Sequence, residues 1–215
     1  MIDHQILIYS DSLTWGIIPN TRNRLPFELR WPGVLENALR ERGVSARVIE
    51  DCLNGRRTAF DDPEKPGRSG LEGVEQKIEM HSPLRLVVLM LGTNDFQAVH
   101  ANTIGRSAQG MASLVAAVRR APIEPDMPIP QILIVAPPPV GQPKGEMAYK
   151  FDGAKERCEG LSSAFEQVAR GHDCGFFDAG SITTTSKIDG VHLDEDQHEV
   201  LGLAIADVAE CMIIQ

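Results

Sequence analysis

The sequence predicts an α/β fold in one domain spanning residues 1–215, a five-stranded parallel doubly wound sheet of order 2-1-3-4-5. Three observations predict it. Short apolar runs lack the polar alternation of half-exposed strands, so they belong to a sheet covered on both faces. Segments of helical period separate those runs, as right-handed crossovers between parallel strands require. Small polar turns rich in Gly, Ser, Asn and Asp follow the runs, where open α/β sheets bind ligands.

Taken in order, Ile6-Leu7-Ile8-Tyr9 is the first strand, and it ends at Ser10-Asp11-Ser12-Leu13-Thr14-Trp15-Gly16 with Ser12 just beyond it. A loop containing Pro19, Pro26 and Trp31 leads to a helix over Pro32–Arg40, where Val34, Leu35, Ala38 and Leu39 share a face before Gly43 ends it. Ala46–Glu50 is a short second strand, and the Gly-, Asp-, Arg- and Pro-dense stretch after it to Gly70 reads as a long functional loop. A weakly apolar helix over Leu71–Met80 precedes the third strand, Arg85–Leu91, which stops at Gly92-Thr93-Asn94-Asp95. Ile104, Met111, Leu114, Val115 and Val118 space an amphipathic helix over Thr103–Arg120, and Gln131–Ala136 is a fourth strand closed by three prolines. The prolines and glycines of Pro137–Lys150 exclude regular structure there and predict a lid or pocket rim. A helix over Asp152–Arg170, a strand Cys174–Phe177, a loop Asp178–Leu193 and a last helix over Glu195–Met212 complete the alternation.

Composition narrows the class. The chain has 215 residues, 42% of them hydrophobic, enough for one substantial core. Its 30 acidic residues against 21 basic ones give a formal charge of −9, which argues against nucleic acid and anionic membrane surfaces and favours small uncharged or weakly polar ligands. Cys52, Cys158, Cys174 and Cys211 are widely spaced with no C-x-x-C pair, so they predict reduced thiols in a cytoplasm rather than a disulfide framework or a metal knuckle. No apolar stretch approaches the roughly 18 residues of a membrane span, and the first residues are unlike a signal peptide.

Four short stretches fall at or beyond the carboxyl ends of strands: Ser10-Asp11-Ser12-Leu13, Asn54-Gly55-Arg56-Arg57-Thr58, Gly92-Thr93-Asn94-Asp95 and Asp189-Gly190-Val191-His192. Their chemistry is complementary. A serine is a poor nucleophile until an imidazole takes its proton, and the imidazole needs a carboxylate to fix its tautomer. Asp189 and His192 lie close enough in sequence to meet within one loop. Acyl transfer also needs donors for an oxyanion, and the Ser12 N–H, the Gly55 N–H and the Asn94 amide are the candidates.

At these residues the chain resembles the SGNH hydrolases, also called GDSL esterases, and in particular their arylesterase and acyltransferase branch. The resemblance runs from D-S-L-T-W-G through L-G-T-N-D, A-P-P-P and F-F-D-A-G to D-G-V-H. It implies a flavodoxin-like three-layer sandwich, with Ser12 as nucleophile, Gly55 and Asn94 as oxyanion donors, His192 as base and Asp189 as its orienting acid. It further implies a serine esterase for small acyl or aryl esters, with acyltransferase or perhydrolase activity as an extension and no cofactor. Ser10 departs from the family, whose first block begins with Gly. Leu13, Trp15, Phe96 and Val191 are the expected substrate walls, forming a narrow apolar mouth with the proline-rich segment. Trp31, Tyr149 and Phe151 could line the pocket or the core. Related arylesterases are oligomeric, which together with the two long loops predicts a homo-oligomer.

Each motif also has a plainer reading. Asn94 and Gly55 suit simple turns, and Asp194, Glu195 and Asp196 suit the positive end of a helix better than a metal site with His192 and His198. A flavodoxin-like FMN binder would use Ser10, Ser12 and Thr14 as phosphate-loop hydroxyls. A phosphohydrolase with Asp11 as nucleophile lacks its second carboxylate, because Leu13 stands in that slot. A non-catalytic interaction domain would not require the full set of reactive residues.

Overall fold

The computed structural model describes residues 4–214. Five strands, β1 (His4–Ser10), β2 (Ala46–Cys52), β3 (Leu86–Met90), β4 (Gln131–Ala136) and β5 (Gly175–Asp178), form an all-parallel sheet of order β2-β1-β3-β4-β5. Alternate strand residues feed two separate cores, as the period-2 geometry of a strand requires. Leu7, Val87, Leu89, Ile132 and Ile134 pack with α3 (Val74–His81), α4 (Ile104–Arg120) and α7 (Leu161–Gly171) on one face. Ile6, Ile8, Val88 and Leu133 pack with α2 (Trp31–Glu41) and α8 (Glu195–Ile214) on the other. The result is the expected three-layer sandwich.

The remaining helices are short: α1 (Ser12–Trp15), α5 (Glu146–Lys150) and α6 (Ala154–Arg157). They mark where the sequence reading departs from the fold. The turn after β1 is a helical turn capped by Asp11, whose Oδ1 accepts from the Leu13 N–H at 2.9 Å. Pro137–Lys150 was expected to be irregular, but its last five residues, beyond Pro143 and Gly145, form α5. The helix expected over 152–170 is two pieces, because Gly160 turns left-handed (φ 92°) and starts α7 afresh.

Ser10 does not take a left-handed conformation, so no strained turn precedes Ser12. Its hydroxyl instead enters a buried chain: Trp31 Nε1–H donates to Thr14 Oγ1 (3.0 Å), Thr14 to Ser10 Oγ (2.6 Å), and Ser10 to the Met90 carbonyl (2.6 Å). That chain ties the end of β1 to α2 and β3, with every hydroxyl proton used.

Candidate active site

Ser12 opens α1, so its N–H lies among the orphan donors of a helix start, and no acceptor takes it among the described residues. Its hydroxyl faces the cavity and makes no hydrogen bond among the described residues either. Beside it, Asp11 is fully enclosed, and burial pushes its carboxyl up to about 6 despite the Leu13 N–H and the nearby His192 and Asn94, which favour the ionised form.

The loop between β5 and α8 carries the candidate acid and base, Asp189 and His192. His192 Nδ1 and Asp189 Oδ2 are 2.7 Å apart, and Asp189 Oδ1 accepts from the Val191 and His192 N–H groups at 2.9 Å each. Burial alone would raise the Asp189 carboxyl, but its bond to His192 and these two N–H donors hold it below the usual range. An ionised Asp189 accepts from Nδ1–H and leaves Nε2 as the proton acceptor. The loop holds its shape through Ser186, which takes the Gly190 N–H on its carbonyl (2.8 Å) and donates its own N–H to the His192 carbonyl (2.7 Å). Gly190 has φ 77°, and a Cβ there would strike the Gln142 carbonyl. The segment after β4 is laced to this loop: Gly141 N–H donates to the Gly190 carbonyl (2.8 Å) and Lys144 N–H to the Asp189 carbonyl (2.9 Å).

Gly55, in the left-handed conformation (φ 86°), presents a second N–H with no acceptor among the described residues. Its neighbour Arg56 anchors that turn, donating to the Ser10 carbonyl (3.0 Å), the Asp51 carbonyl (2.6 Å) and Asp51 Oδ1 (2.7 Å), with its guanidinium 3.9 Å from the Tyr9 ring centre. Asn94 lies in a single-turn 3-10 helix, Thr93–Phe96, after β3. Its Nδ2 donates to Asp11 Oδ2 (2.9 Å) and to the Arg56 carbonyl (3.1 Å), and its Oδ1 accepts from Gln97 (2.8 Å). Both amide protons are therefore engaged before any ligand arrives. Asp95 clamps the same region: it accepts from Thr58 N–H (3.1 Å), Thr58 Oγ1 (2.7 Å) and Ser107 Oγ (2.5 Å). Sequence reasoning missed Arg56 and Asp95 as positioning groups, although a charged residue inside each motif block was a signal.

Ser12, Gly55, Asn94, Asp189 and His192 all line one cavity of about 220 Å³. The expected substrate walls do not. Leu13 and Val191 are buried in the two cores, Phe96 is wholly buried with α7 beyond the sheet end, and Trp15 lies under the Arg24 guanidinium at 4.7 Å. An apolar side chain next to a motif faces away from the polar group it neighbours, and the core took Leu13, Phe96 and Val191, while Trp15 is half-buried against Arg24. Trp31 is likewise core and Tyr149 stands outside the cavity, so of the residues left open between pocket and core Phe151 alone lines it, with Ile17 and Met147. The rest of the mouth is polar and cationic: Arg22, Lys65, Lys144 and Lys150 face one unpaired carboxylate, Glu146. The weakly polar site expected from the net charge is therefore corrected locally.

Among the described residues no group of three or more His, Cys, Asp or Glu side chains is placed to hold a metal ion. His198 is fully buried in α8 with its Nδ1 accepting from the Trp31 N–H at 3.3 Å, and burial, with Arg30 and His192 nearby, pushes it down to about 4. Glu195 and Asp196 occupy the first turn of α8, where the helix dipole favours them.

Comparison with known proteins agrees with this geometry. A profile of the GDSL-like lipase/acylhydrolase family matches residues 11–200. An inhibitor-bound aryl esterase from M. smegmatis superposes with a TM-score of 0.92 and 33% identity, covering 97% of this chain and 99% of that one. A carbohydrate acetylesterase family member from Sinorhizobium meliloti gives 0.91 and 37% identity, covering 99% and 100%. An arylesterase from Vibrio mimicus is 32% identical over 91 residues, a segment that is 42% of this chain and 38% of that protein's length.

Proposed function

The chain belongs to the GDSL-like lipase/acylhydrolase family, and from that premise we propose that it is a serine esterase that hydrolyses small acyl or aryl esters through an acyl-enzyme on Ser12. The observation that carries the reading is the 2.7 Å Asp189–His192 pair opening into the cavity that holds the unbonded Ser12 hydroxyl. His192 Nε2 takes the Ser12 proton as Oγ adds to the ester carbonyl, and Asp189 stabilises the resulting imidazolium. The Ser12 and Gly55 N–H groups receive the oxyanion. Asn94 joins them by sharing a proton now held by Asp11 or the Arg56 carbonyl. His192 then protonates the departing alkoxide, and water repeats the cycle to release the acid.

Transfer of the acyl group to an alcohol or to peroxide extends this reading. With benzyl alcohol and vinyl acetate, benzyl acetate above its molar share against water is the expected result, and no excess leaves a simple esterase. Exposed Val99, Tyr149 and Ile188 support a homo-oligomer, to be read by light scattering across micromolar concentrations. The four free thiols suit a reducing cytoplasm. The central test is a fluorophosphonate probe with the adduct located by mass spectrometry. Label on Ser12 is the expected result, and a wild-type protein that takes no label, or takes it elsewhere, overturns the mechanism.

A further inference from the structure

The mouth of the cavity has a charge opposite to that of the chain. The protein carries 30 acidic residues against 21 basic ones, yet four cations and one unpaired carboxylate ring the entrance above Ser12. They come from three separate loops: Arg22 follows α1, Lys65 follows β2, and Lys144 and Lys150 follow β4. Lys144 is spent on the Lys187 carbonyl (2.8 Å). The side chains of Arg22, Lys65 and Lys150 make no ion pair and no hydrogen bond among the described residues, although elsewhere the surface arginines Arg24, Arg40, Arg42, Arg120 and Arg170 all pair with carboxylates. Three unpaired cations at one spot repel. Burial first pulls Lys150 and Lys65 below their ordinary values; Lys65 and Arg22 add to this at Lys150, and Arg68 and Arg22 at Lys65, with Asp62 opposing at both. Such a cluster is stabilised when an anion joins it.

A second cavity, of about 630 Å³, continues outward from the first and shares Gly55, Lys65 and Lys150 with it. The first alone is smaller than the roughly 300–1,000 Å³ of an ordinary small-molecule site, so a substrate larger than a simple acyl ester must pass these cations. The outer cavity also holds Asp62, Glu64 and Asp152, and Asp62, which accepts from the Glu64 and Lys65 N–H groups and lies 3.6 Å from His100, partly offsets Lys65 and Lys150. The excess of cations belongs to the inner ring of Arg22, Lys65, Lys144 and Lys150.

Resting on the esterase reading, we propose that the substrate class is an anionic ester, one whose part remote from the reacting carbonyl bears a carboxylate or comparable anion held by Arg22, Lys65 and Lys150. The cluster then supplies substrate selection, while the Ser12 floor supplies the chemistry.

The test compares 4-acetoxybenzoate, neutral 4-acetoxybenzamide and cationic 4-acetoxyphenyl-trimethylammonium, each kcat/KM divided by that ester's own hydroxide-catalysed rate. The anion should lead the neutral ester by about tenfold, mainly through KM, and the cation should trail both. That lead should shrink in Lys65→Gln and in Lys150→Gln, and in wild type at about 1 M salt, where screening acts within about 3 Å. 4-Acetoxyphenyl sulfate, run beside the carboxylate, tells which anion the cluster prefers. Equal rates for the three charge types, or a lead that neither substitution nor salt reduces, overturns the proposal and leaves the esterase reading standing. Hydrolysis of none of them, with Ser12 unlabelled by fluorophosphonate, overturns both.

Discussion

The floor of the cavity and its mouth are built on opposite principles. On the floor, Asp189, Asn94 and Asp11 have their hydrogen-bonding groups matched to named partners, and the groups left unbonded include those a reacting ester would use, the Ser12 hydroxyl and the Ser12 and Gly55 N–H groups, beside Asn54 Oδ1. At the mouth, Arg22, Lys65 and Lys150 are exposed on three separate connections, with no ion pair or hydrogen bond from their side chains among the described residues. A preorganised polar site stabilises a transition state without reorganising, whereas exposed charges act weakly and in concert. The floor therefore sets whether the reaction occurs, and the mouth sets which ester is favoured.

Disruptions of the floor should give the largest effects. Ser12→Ala should abolish hydrolysis of p-nitrophenyl acetate while leaving the thermal unfolding transition in place. Asp189→Asn should cost about 10⁴ in kcat if the penalty known for a serine protease triad transfers, since the amide favours the wrong imidazole tautomer. Asn94→Ala should cost on the order of 10² to 10³ in kcat, and steady-state kinetics with KM little changed would identify it as a transition-state donor. A loss confined to KM would place it in ground-state binding instead.

Beneath the floor the effect moves from rate to stability. Asp95→Ala leaves Thr58 and Ser107 donors buried without an acceptor and should lower stability by about 3 kcal/mol in urea unfolding. His198 titrates at about 4 in the fold against an ordinary 6.5, so the unfolded chain takes up that proton first and stability falls as pH drops from about 6.5 to 4. Asp11 works in the opposite sense: raised to about 6, it takes up its proton in the fold before the unfolded chain does, and gains stability over much of the same window. The two offset each other in the wild type. In His198→Asn, which keeps an acceptor for Trp31, the stability difference from wild type should shift by about 3 kcal/mol in the variant's favour between pH 7 and pH 4. The mouth gives the smallest changes, since each exposed cation contributes on the order of 1 kcal/mol or less to a bound anion.

The same division explains what could be read without coordinates. Strand positions followed from apolar runs, because a doubly covered strand has little other composition available, and the 2-1-3-4-5 order from the alternation of strands with helices in right-handed crossovers. The Asp189–His192 contact was legible because four consecutive residues of one loop contain it. Lys65 and Lys150 carried no such signal. They are far apart in sequence, and a surface lysine looks the same whether it meets solvent or a substrate. Leu13, Phe96 and Val191 misled for the converse reason: proximity in sequence to a catalytic group puts a side chain one or two positions round the turn, where the core lies. The break at Gly160 was marked by the glycine itself, but helical period on both sides masked it.

The lacing of Gly141 and Lys144 onto the backbone of Gly190 and Asp189 has a practical reach. The segment that carries Lys150 is not an independent flap, because its first residues are splinted to the backbone of Asp189 and Gly190. Anyone transplanting this loop from a relative, to give the enzyme a new substrate range, would carry the splint along and shift Asp189 with it. The seam for such a graft lies at Gly145, where φ of 57° and the start of α5 let the chain change direction after the last of those bonds. Residues 145–150 can be exchanged as a cassette; residues 141–144 are part of the catalytic frame.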